Sequence, residues 1–400
     1  MKVNNFTRLF KSEYFVAGIL CFIFFCCYFI LFFLRHTSSD FQSHIQIAYS
    51  FAVNDDKMFP NFLYFLLVAL FAGFSKHIYL YYGAAIFLLS WAMAAKFLLT
   101  DFYLKKYCDL NNTFTKKVYR LLAISMLFVF ALPGLDFFTN NIFYLGQLPA
   151  NVWHNSTVIF LMPFSILLFF KSFNLLFTRE PVSKKEQFQI FLLVVVNAII
   201  KPSFLFTIIP TVGLFFSWVY FFPKDKKMKF SLLFPYLLGV IFIGVEYYLI
   251  FTKTHVSSIT ATQKSGVIIA PFVVWKNYSS NLAISFLTSC FFPIVYIVVS
   301  RGVILKNKLV QFAIVNYVLA MAIWVFLAES GPRKFDANFC WQMIVATYLL
   351  FLVLVTQWVN DFNLSRMSKA KLYFVGTAFS FHFIWGIVYF GKILITRQYY

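Results

Sequence analysis

Long apolar runs recur along the whole sequence, and they limit the folds that this chain can adopt. The first run, from about Tyr14 to Leu34, contains no charged residue and is about 20 residues long, enough for a helix to cross a bilayer. The chain is 61% hydrophobic and 12% charged, whereas a soluble domain is about 45–50% apolar and about 25% charged. The sequence therefore predicts an all-α, polytopic membrane protein with a single integral membrane domain over residues 1–400. We expect about eleven transmembrane helices, which cover residues 14–34, 78–99, 118–133, 156–173, 187–201, 203–222, 230–251, 282–300, 309–328, 341–358 and 372–391.

A further apolar run, PNFLYFLLVALFAGF at 60–74, is short for a membrane span. If this run lies along the membrane surface, the clusters that hold roughly two-thirds of the Lys and Arg residues all fall on one side. Basic loops mark the cytoplasmic side of a membrane protein. We therefore expect an interfacial helix in the first outer loop, a cytoplasmic N-terminus and a multi-pass location in the plasma (inner) membrane. The outer side then carries the polar connections 35–77, 134–155, 252–281 and 329–340.

The charge and cysteine patterns argue against several other classes of protein. The net charge is +20, but the Lys and Arg residues lie in short loops and form no basic face with interleaved aromatic residues. Nucleic acid is therefore not an expected partner. The six Cys residues have no zinc-like spacing, and the sequence lacks HExxH, GxSxG and the glycine-rich phosphate-binding motifs. No cofactor is required by a motif, and no metal ligand is predicted.

The stretch SSDFQSHIQI, residues 38–47, directly follows the first apolar run. Asp40 and His44 are four residues apart, so they lie on one face if a helix forms there. A carboxylate in this position can act as a general base towards a hydroxyl, although it can also simply cap an outer helix. We interpret His44 as a hydrogen-bonding partner. Asp55 and Asp56 could join Asp40 in an acidic pocket. The sequence leaves open whether this pocket binds a divalent cation.

A second polar segment is YLGQLPANVWHNST, residues 144–157. Neutral donors and acceptors beside an aromatic ring suit the hydroxyl groups of a sugar, and a tryptophan at an interface is also a common membrane anchor. An ordinary loop does not require so many amides, so we predict a substrate-binding segment. Its candidate residues are Gln147, Asn151, Trp153, His154 and Asn155.

Two cations stand at the ends of apolar runs on the same predicted side. Lys201, in NAIIKPSFLF, is held at a helix junction by Pro202. Its ammonium group could bind a phosphate, or it could extend to the membrane interface without further function. Glu329 and Arg333, in AESGPRKFDANFC, could pair with each other, and the planar fork of Arg333 also suits a phosphate or a carboxylate.

In this order, the features resemble the GT-C superfamily of polytopic glycosyltransferases, which use polyprenyl-phosphate sugars on the outer face of the membrane. SDFQSH followed by PNFLYFLLVALFAGF is similar to their first outer loop. Gly146, Gln147 and Asn151, followed later by Lys201, are similar to the mannosyltransferases that depend on polyprenol-phosphate mannose. Those mannosyltransferases have a stretch that resembles Lys-x-x-Pro, whereas Pro202 follows Lys201 directly in this chain. The resemblance covers roughly the first 220 residues.

The resemblance implies a GT-C-like catalytic module at 1–222 and C-terminal helices at 223–400 that complete the lipid-donor site. Asp40 would deprotonate an acceptor hydroxyl, which attacks the anomeric carbon with inversion while the polyprenyl phosphate leaves. Lys201 and Arg333 would neutralise the departing phosphate, and the amide-rich loop would hold the sugar. The implied partners are a polyprenyl-phosphate sugar donor, a glycan or lipid acceptor, and membrane lipids.

A membrane transporter, or a flippase for lipid-linked oligosaccharides, is the alternative. Such proteins place charged residues deep in several helices and contain repeats with broken helices. Few charged residues lie inside the apolar runs, with Glu246 as one example, and no internal repeat is evident. An oligosaccharide polymerase or ligase ranks third, because it would show paired arginines in a large outer loop and only Arg333 is present. The polar residues gather in predicted outer loops, which favours an interfacial enzyme.

Overall fold

The computed structural model describes residues 13–37, 39–54, 60–108, 113–177, 182–221, 229–252, 266–300, 302, 306–396 and 398–399. Asp55 and Asp56 lie outside these residues, so the predicted acidic pocket cannot be placed. Helices dominate the described chain. They are α1 (Glu13–Tyr28, continued by a π-helix at Phe29–Leu34), α2 (Asp40–Val53), α3 (Leu63–Phe71), α4 (Ile78–Tyr107), α5 (Thr113–Met126), α6 (Leu135–Asn140), α7 (Ser156–Phe177), α8 (Lys184–Ile200), α9 (Leu205–Phe221), α10 (Phe234–Thr252), α11 (Val273–Tyr278), α12 (Leu282–Ser289), α13 (Phe291–Val299), α14 (Lys308–Phe326), α15 (Trp341–Asn363) and α16 (Lys369–Thr396).

Among the described residues, eight helical segments are long and apolar enough to cross a membrane. A ninth span exists if α12 and α13, which meet at a bend of 68°, count as one. The chain is therefore a largely α-helical, multi-pass membrane protein. Each predicted run overlaps a helix, but the predicted count of about eleven is not confirmed, because α5 and α8 have only 14 and 17 residues. The eight segments are Glu13–Leu34, Ile78–Tyr107, Ser156–Phe177, Pro202–Phe221, Phe230–Phe251, Lys308–Phe326, Gly331–Asn363 and Lys369–Thr396.

The helices differ strongly in how much of their surface is covered by the rest of the protein. In its most apolar window, the span that contains α15 is 89% buried, and those of α7 and α4 are 72% and 67% buried. The corresponding values for the spans that contain α10 and α1 are only 22% and 33%. The core of the bundle is therefore formed around α15, α7 and α4, whereas α1 and α10 lie at its rim.

The apolar run at 60–74 forms a helix only over Leu63–Phe71, nine residues long. Such a helix measures about 14 Å, less than half of a hydrocarbon core of about 30 Å. It packs against α2 and α4, and its chain then turns through Gly73 and Phe74, which have φ values of 65° and 51°. The short helix agrees with the prediction that this run does not cross the membrane.

The predicted helix at 118–133 ends early, at Met126. Beyond it the backbone is extended, and its groups bond to other elements. The amide of Phe130 donates to the carbonyl of His382 at 3.2 Å. Helix α16 approaches this extended segment at Gly386, where a Cβ atom would lie 1.4 Å from the carbonyl oxygen of Phe128. The apolar composition predicted a continuous helix, whereas packing against α16 provides the extended segment with hydrogen-bond partners.

Two short strands, which the all-α prediction did not include, pair near the candidate site. Strand β1 (Val267–Ile269) is antiparallel to β2 (Leu327–Glu329), with Val267 opposite Glu329. Strand β2 directly follows α14, so pairing satisfies backbone groups that no longer belong to a helix. The strand pair fixes the position of Glu329 and of the 3-10 turn Gly331–Phe335 that follows it.

Candidate functional site

Asp40 is the first residue of α2, and it does not cap the helix. Ser39 is the cap, because its Oγ accepts a hydrogen bond from the amide of Phe41 at 3.3 Å. The side chain of Gln42 completes the capping box by accepting from the amide of Ser39 at 3.1 Å. The interpretation of Asp40 as a helix cap is therefore wrong. Its half-buried carboxylate instead accepts a hydrogen bond from Asn155 Nδ2 at 2.6 Å.

Asn155 is buried, and the start of α7 fixes the orientation of its amide. Its Oδ1 accepts hydrogen bonds from the amide of Val158 at 3.0 Å and from Thr157 Oγ1 at 2.9 Å. Because both partners are donors, the oxygen must face α7 and the NH2 group must face Asp40. Asn155 therefore acts as the helix N-cap and holds the carboxylate at the same time.

His44 lies one turn further along α2 on the same face as Asp40, as the spacing predicted. Its Nδ1 is 2.5 Å from Ser156 Oγ, and its ring contacts those of Tyr64 and Phe65. Burial, together with the positive charge of Lys201, lowers the pKa of His44 to about 4. His44 is therefore neutral at pH 7, and it provides a second link between α2 and α7.

Lys201 ends α8 in an extended conformation, directly before the 3-10 turn that Pro202 begins. Its Nζ donates to Thr157 Oγ1 at 3.3 Å and lies 5.0 Å from the centre of the Trp341 ring. Burial lowers its pKa to about 8, against the opposing effect of the Asp40 carboxylate. Since Thr157 also donates to Asn155, a continuous polar chain runs from the ammonium group to that carboxylate.

Asp40 lines a cavity of about 330 Å³, a size at the lower end of small-molecule sites. Gln147 and His154, two of the predicted substrate-binding residues, also line this cavity, and Asp336 adds a second carboxylate. The pKa of His154 is lowered to about 4 by burial, so this ring is neutral as well. Aromatic rings cover much of the remaining wall, namely those of Tyr144, Tyr278, Trp324, Trp341 and Tyr399.

The predicted residues of the amide-rich loop do not all reach the cavity. Asn151 is buried elsewhere, and its Nδ2 donates to the carbonyls of Met126 at 3.0 Å and Val129 at 2.7 Å. Its Oδ1 accepts a hydrogen bond from Lys96. Asn151 therefore closes the C-terminal end of α5. Trp153 is also fully buried and packs among the aromatic rings that surround α16.

Gln147 reaches the cavity, but neighbouring hydroxyl groups already hold its amide. Its Oε1 accepts hydrogen bonds from Thr288 at 3.2 Å and Ser289 at 3.1 Å, both at the end of α12. The preceding residue, Gly146, has a φ of 81°, and a Cβ atom there would lie 2.5 Å from the carbonyl oxygen of Tyr278. Only glycine fits this turn, which brings the Gln147 amide to the cavity wall.

A second, apolar space lies beside the cavity. This groove, of about 570 Å³, is formed mainly by aliphatic and aromatic side chains of α9, α10 and α14, and Glu246 of α10 also lines it. Pro202, Glu329 and Arg333 lie at the groove as well. Among the residues before α15, Phe339 lines the groove and Cys340 lines the cavity, so the two spaces are neighbours.

Arg333 pairs with one carboxylate at each of the two spaces, and its pairing with Glu329 is one of the two alternatives that the sequence left open. Its Nε lies 3.2 Å from Glu329 Oε2, at the groove, and 3.2 Å from Asp336 Oδ2, at the cavity. The side chain of Asn338 donates a further hydrogen bond to Glu329 at 3.1 Å. Burial raises the pKa of Glu329, and the charge of Arg333 opposes that rise.

Several cavity residues were missed by sequence reasoning. Asp336 belongs to the fourth polar connection and Trp341 directly follows it, so their proximity to Arg333 was a usable signal. Tyr399 gave no such signal, because it lies far along the chain from Asp40 and outside any motif. Within the described ranges, no group of three or more His, Cys, Asp or Glu side chains is arranged to hold a metal ion.

Comparisons with known proteins do not place the chain in a family. No family model matches the sequence, no curated protein is significantly similar to it, and no solved structure matches the fold.

Proposed function

We propose that the protein is a membrane glycosyltransferase that moves a sugar from a polyprenyl-phosphate donor to a glycan or lipid acceptor on the outer face of the membrane. The position of Lys201 carries this proposal. It contacts Trp341 of the polar cavity, and its chain neighbour Pro202 lines the apolar groove. A cation between a polar and an apolar space matches a ligand with a sugar, a phosphate and a lipid tail.

The three parts of such a donor fit three neighbouring environments. The aromatic walls and polar groups of the cavity suit a sugar ring with its hydroxyl groups. The groove, lined mainly by apolar side chains, suits part of an isoprenoid tail. The phosphate would lie between them, next to the ammonium group of Lys201 and next to Arg333, which would exchange a carboxylate partner for the phosphate.

Asp40 would perform the proton transfer in this site. The acceptor hydroxyl gives its proton to the Asp40 carboxylate as its oxygen forms a bond to the anomeric carbon. The bond between that carbon and the phosphate oxygen breaks, so the configuration inverts and polyprenyl phosphate leaves. Asn155 holds the carboxylate in one orientation, which contributes to the rate through positioning. The cations stabilise the negative charge that develops on the leaving phosphate.

Two of the buried charges in the helices do not favour the transporter alternative. Lys96, deep in α4, donates to Asn151 and lies 3.9 Å from the centre of the Tyr348 ring. Asp361 accepts hydrogen bonds from Tyr296 at 2.6 Å and Gln357 at 3.1 Å. Lys96 and Asp361 are thus each held by nearby side chains, and neither residue lines the cavity or the groove. Glu246 of α10 differs from them, because it lines the groove and its buried Oε2 has no hydrogen-bond partner among the described residues.

The proposal is tested by Asp40→Asn, with Glu186→Gln as a matched control. Glu186 is an exposed carboxylate at the start of α8, so the control makes the same chemical change away from the cavity. Host cells would express each variant at equal membrane levels, and mass spectrometry would measure the surface glycans and the polyprenyl-phosphate sugars. We expect one sugar to disappear from the glycans and its lipid donor to accumulate with Asp40→Asn only. Unchanged glycans and donor pools in that variant would refute the proposal.

A further inference from the structure

The segment that follows α16 returns to the candidate site and places an aromatic ring in its wall. Tyr399 lines the cavity together with Asp40, and only 3% of its surface is exposed. Its ring centre lies 4.7 Å from that of His154, which lines the same cavity. A residue outside every recognised motif therefore contributes directly to the surface that a sugar would meet.

Hydrogen bonds from α16 itself hold this segment in place. The hydroxyl of Tyr389 donates to the carbonyl of Tyr399 at 2.7 Å, and Lys392 Nζ donates to the carbonyl of Gln398 at 2.9 Å. At the end of α1, Arg35 holds the last turn of α16, from which the segment leaves, by donating to the carbonyl of Leu394 and, at 3.1 Å, to that of Ile395. Because backbone carbonyls accept all these bonds, the path of the segment does not depend on the Tyr399 side chain.

We infer that Tyr399 closes one side of the cavity and thereby limits the size of the sugar that the enzyme accepts. This inference rests on the proposed function. The hydrogen bonds that hold the segment are accepted by backbone carbonyls, so truncation of the Tyr399 side chain leaves the segment in place and enlarges the cavity. A single group of this size in a binding pocket typically changes relative rates by about 10-fold or more.

A role in folding alone makes a different prediction. If Tyr399 only filled space, its truncation would lower the rates with all sugars by the same factor. If it limits sugar size, truncation raises the relative kcat/KM for a bulkier sugar, whereas Tyr399→Phe, which keeps the ring, leaves that ratio unchanged. Tyr399→Leu gives an intermediate volume and should give an intermediate ratio. Tyr373→Ala removes an exposed ring from α16 itself and serves as the matched control.

The first measurement concerns access to the cavity and needs no turnover. Cys340 lines the cavity and is half-buried. The full-length protein in detergent would be treated with N-ethylmaleimide, and mass spectrometry would follow the modification of each cysteine. We expect Cys340 to react several-fold faster in Tyr399→Ala than in wild type, Tyr399→Phe or Tyr373→Ala. Equal rates at Cys340 in all four proteins would show that Tyr399 does not close the cavity, and would overturn the inference.

The second measurement compares a polyprenyl-phosphate hexose with a polyprenyl-phosphate N-acetylhexosamine as donors. We expect Tyr399→Ala to raise the relative kcat/KM of the N-acetylated sugar by about 10-fold. An unchanged ratio, even with faster labelling of Cys340, would overturn the specificity role. If the wild-type protein and Tyr399→Ala transfer neither sugar, the proposed function and the specificity role fail together, whereas the labelling result still decides whether Tyr399 closes the cavity.

Discussion

Asn155 Nδ2 lies 2.6 Å from Asp40 Oδ2, a contact that joins two residues 115 positions apart in the sequence. Each residue stands at the N-terminus of a helix, Asp40 at α2 and Asn155 at α7. The positive ends of two helix dipoles therefore meet at one carboxylate. The contact provides Asp40 with a hydrogen-bond donor where its side chain meets the buried Asn155. Substitution of Asn155 is therefore the most direct test of how the carboxylate is held.

Asn155→Ser should separate the two roles of Asn155. Serine still accepts the hydrogen bond that caps α7, but its short side chain cannot reach Asp40. We expect kcat for sugar transfer to fall about 10- to 100-fold, with a small change in melting temperature, because the carboxylate loses its orientation. Asn155→Ala removes both contacts and should also destabilise the fold by about 1 kcal/mol. Wild-type kcat in Asn155→Ser would contradict a positioning role.

Lys201 should make donor binding sensitive to alkaline pH. Because burial lowers its pKa to about 8, the ammonium group loses its proton, and its attraction for phosphate, as the pH rises through this value. We expect KM for the polyprenyl-phosphate donor to increase above about pH 8 in wild type. In Lys201→Arg the guanidinium stays charged, so the increase should be absent. Identical pH profiles of KM in the two proteins would exclude Lys201 as the group responsible.

His44 should make the fold less stable in acid. Its pKa of about 4 in the folded protein is below the value of about 6.5 in an unfolded chain, so unfolding takes up a proton. The contribution of His44 to stability is complete above about pH 6.5 and is lost as the pH falls towards 4. We expect the melting temperature to drop between pH 7 and pH 5, and to drop less in His44→Gln. His154, with a similarly lowered pKa, should account for part of the remaining drop.

Asn151→Leu should destabilise the protein without changing substrate binding. The substitution removes the hydrogen bonds to Met126, Val129 and Lys96, and it leaves the buried ammonium of Lys96 without its oxygen acceptor. The expected loss is about 3 kcal/mol or more. Thermal melts in detergent would measure this loss of stability. At a temperature where the variant is folded, its KM should equal that of wild type. A raised KM at unchanged melting temperature would instead indicate contact with substrate.

The helical runs and one group of polar residues could be predicted from the sequence. Apolar runs report burial in lipid or protein directly, so each predicted run overlaps a helix, although the run at 118–133 is helical only as far as Met126. Asp40, Asn155 and Lys201 each stand where a helix begins or ends, and the charge pattern placed all three ends on one side of the membrane. Residues at helix ends on the same side can meet, which is why these three were predicted together.

The rest of the site depends on contacts that no local pattern encodes. The loop that contains Asn151 and Trp153 has no repeating conformation, so its sequence does not show which side chains face the cavity and which face α5 or α16. The apolar groove results from the spacing between α9, α10 and α14, which composition alone does not determine. The path that brings Tyr399 to the cavity is held by hydrogen bonds to backbone carbonyls, which Arg35 donates at the end of α16 and Tyr389 donates at Tyr399 itself.

The contact between Lys96 and Asn151 also has a consequence for how the chain enters the membrane. Lys96 is made before Asn151, and the ring of Tyr348 follows much later still. A lysine inside a membrane helix is costly until its partners are present. We therefore expect α4 to enter the bilayer before the partners of Lys96 exist, and its stable insertion to depend on residues that the ribosome adds afterwards.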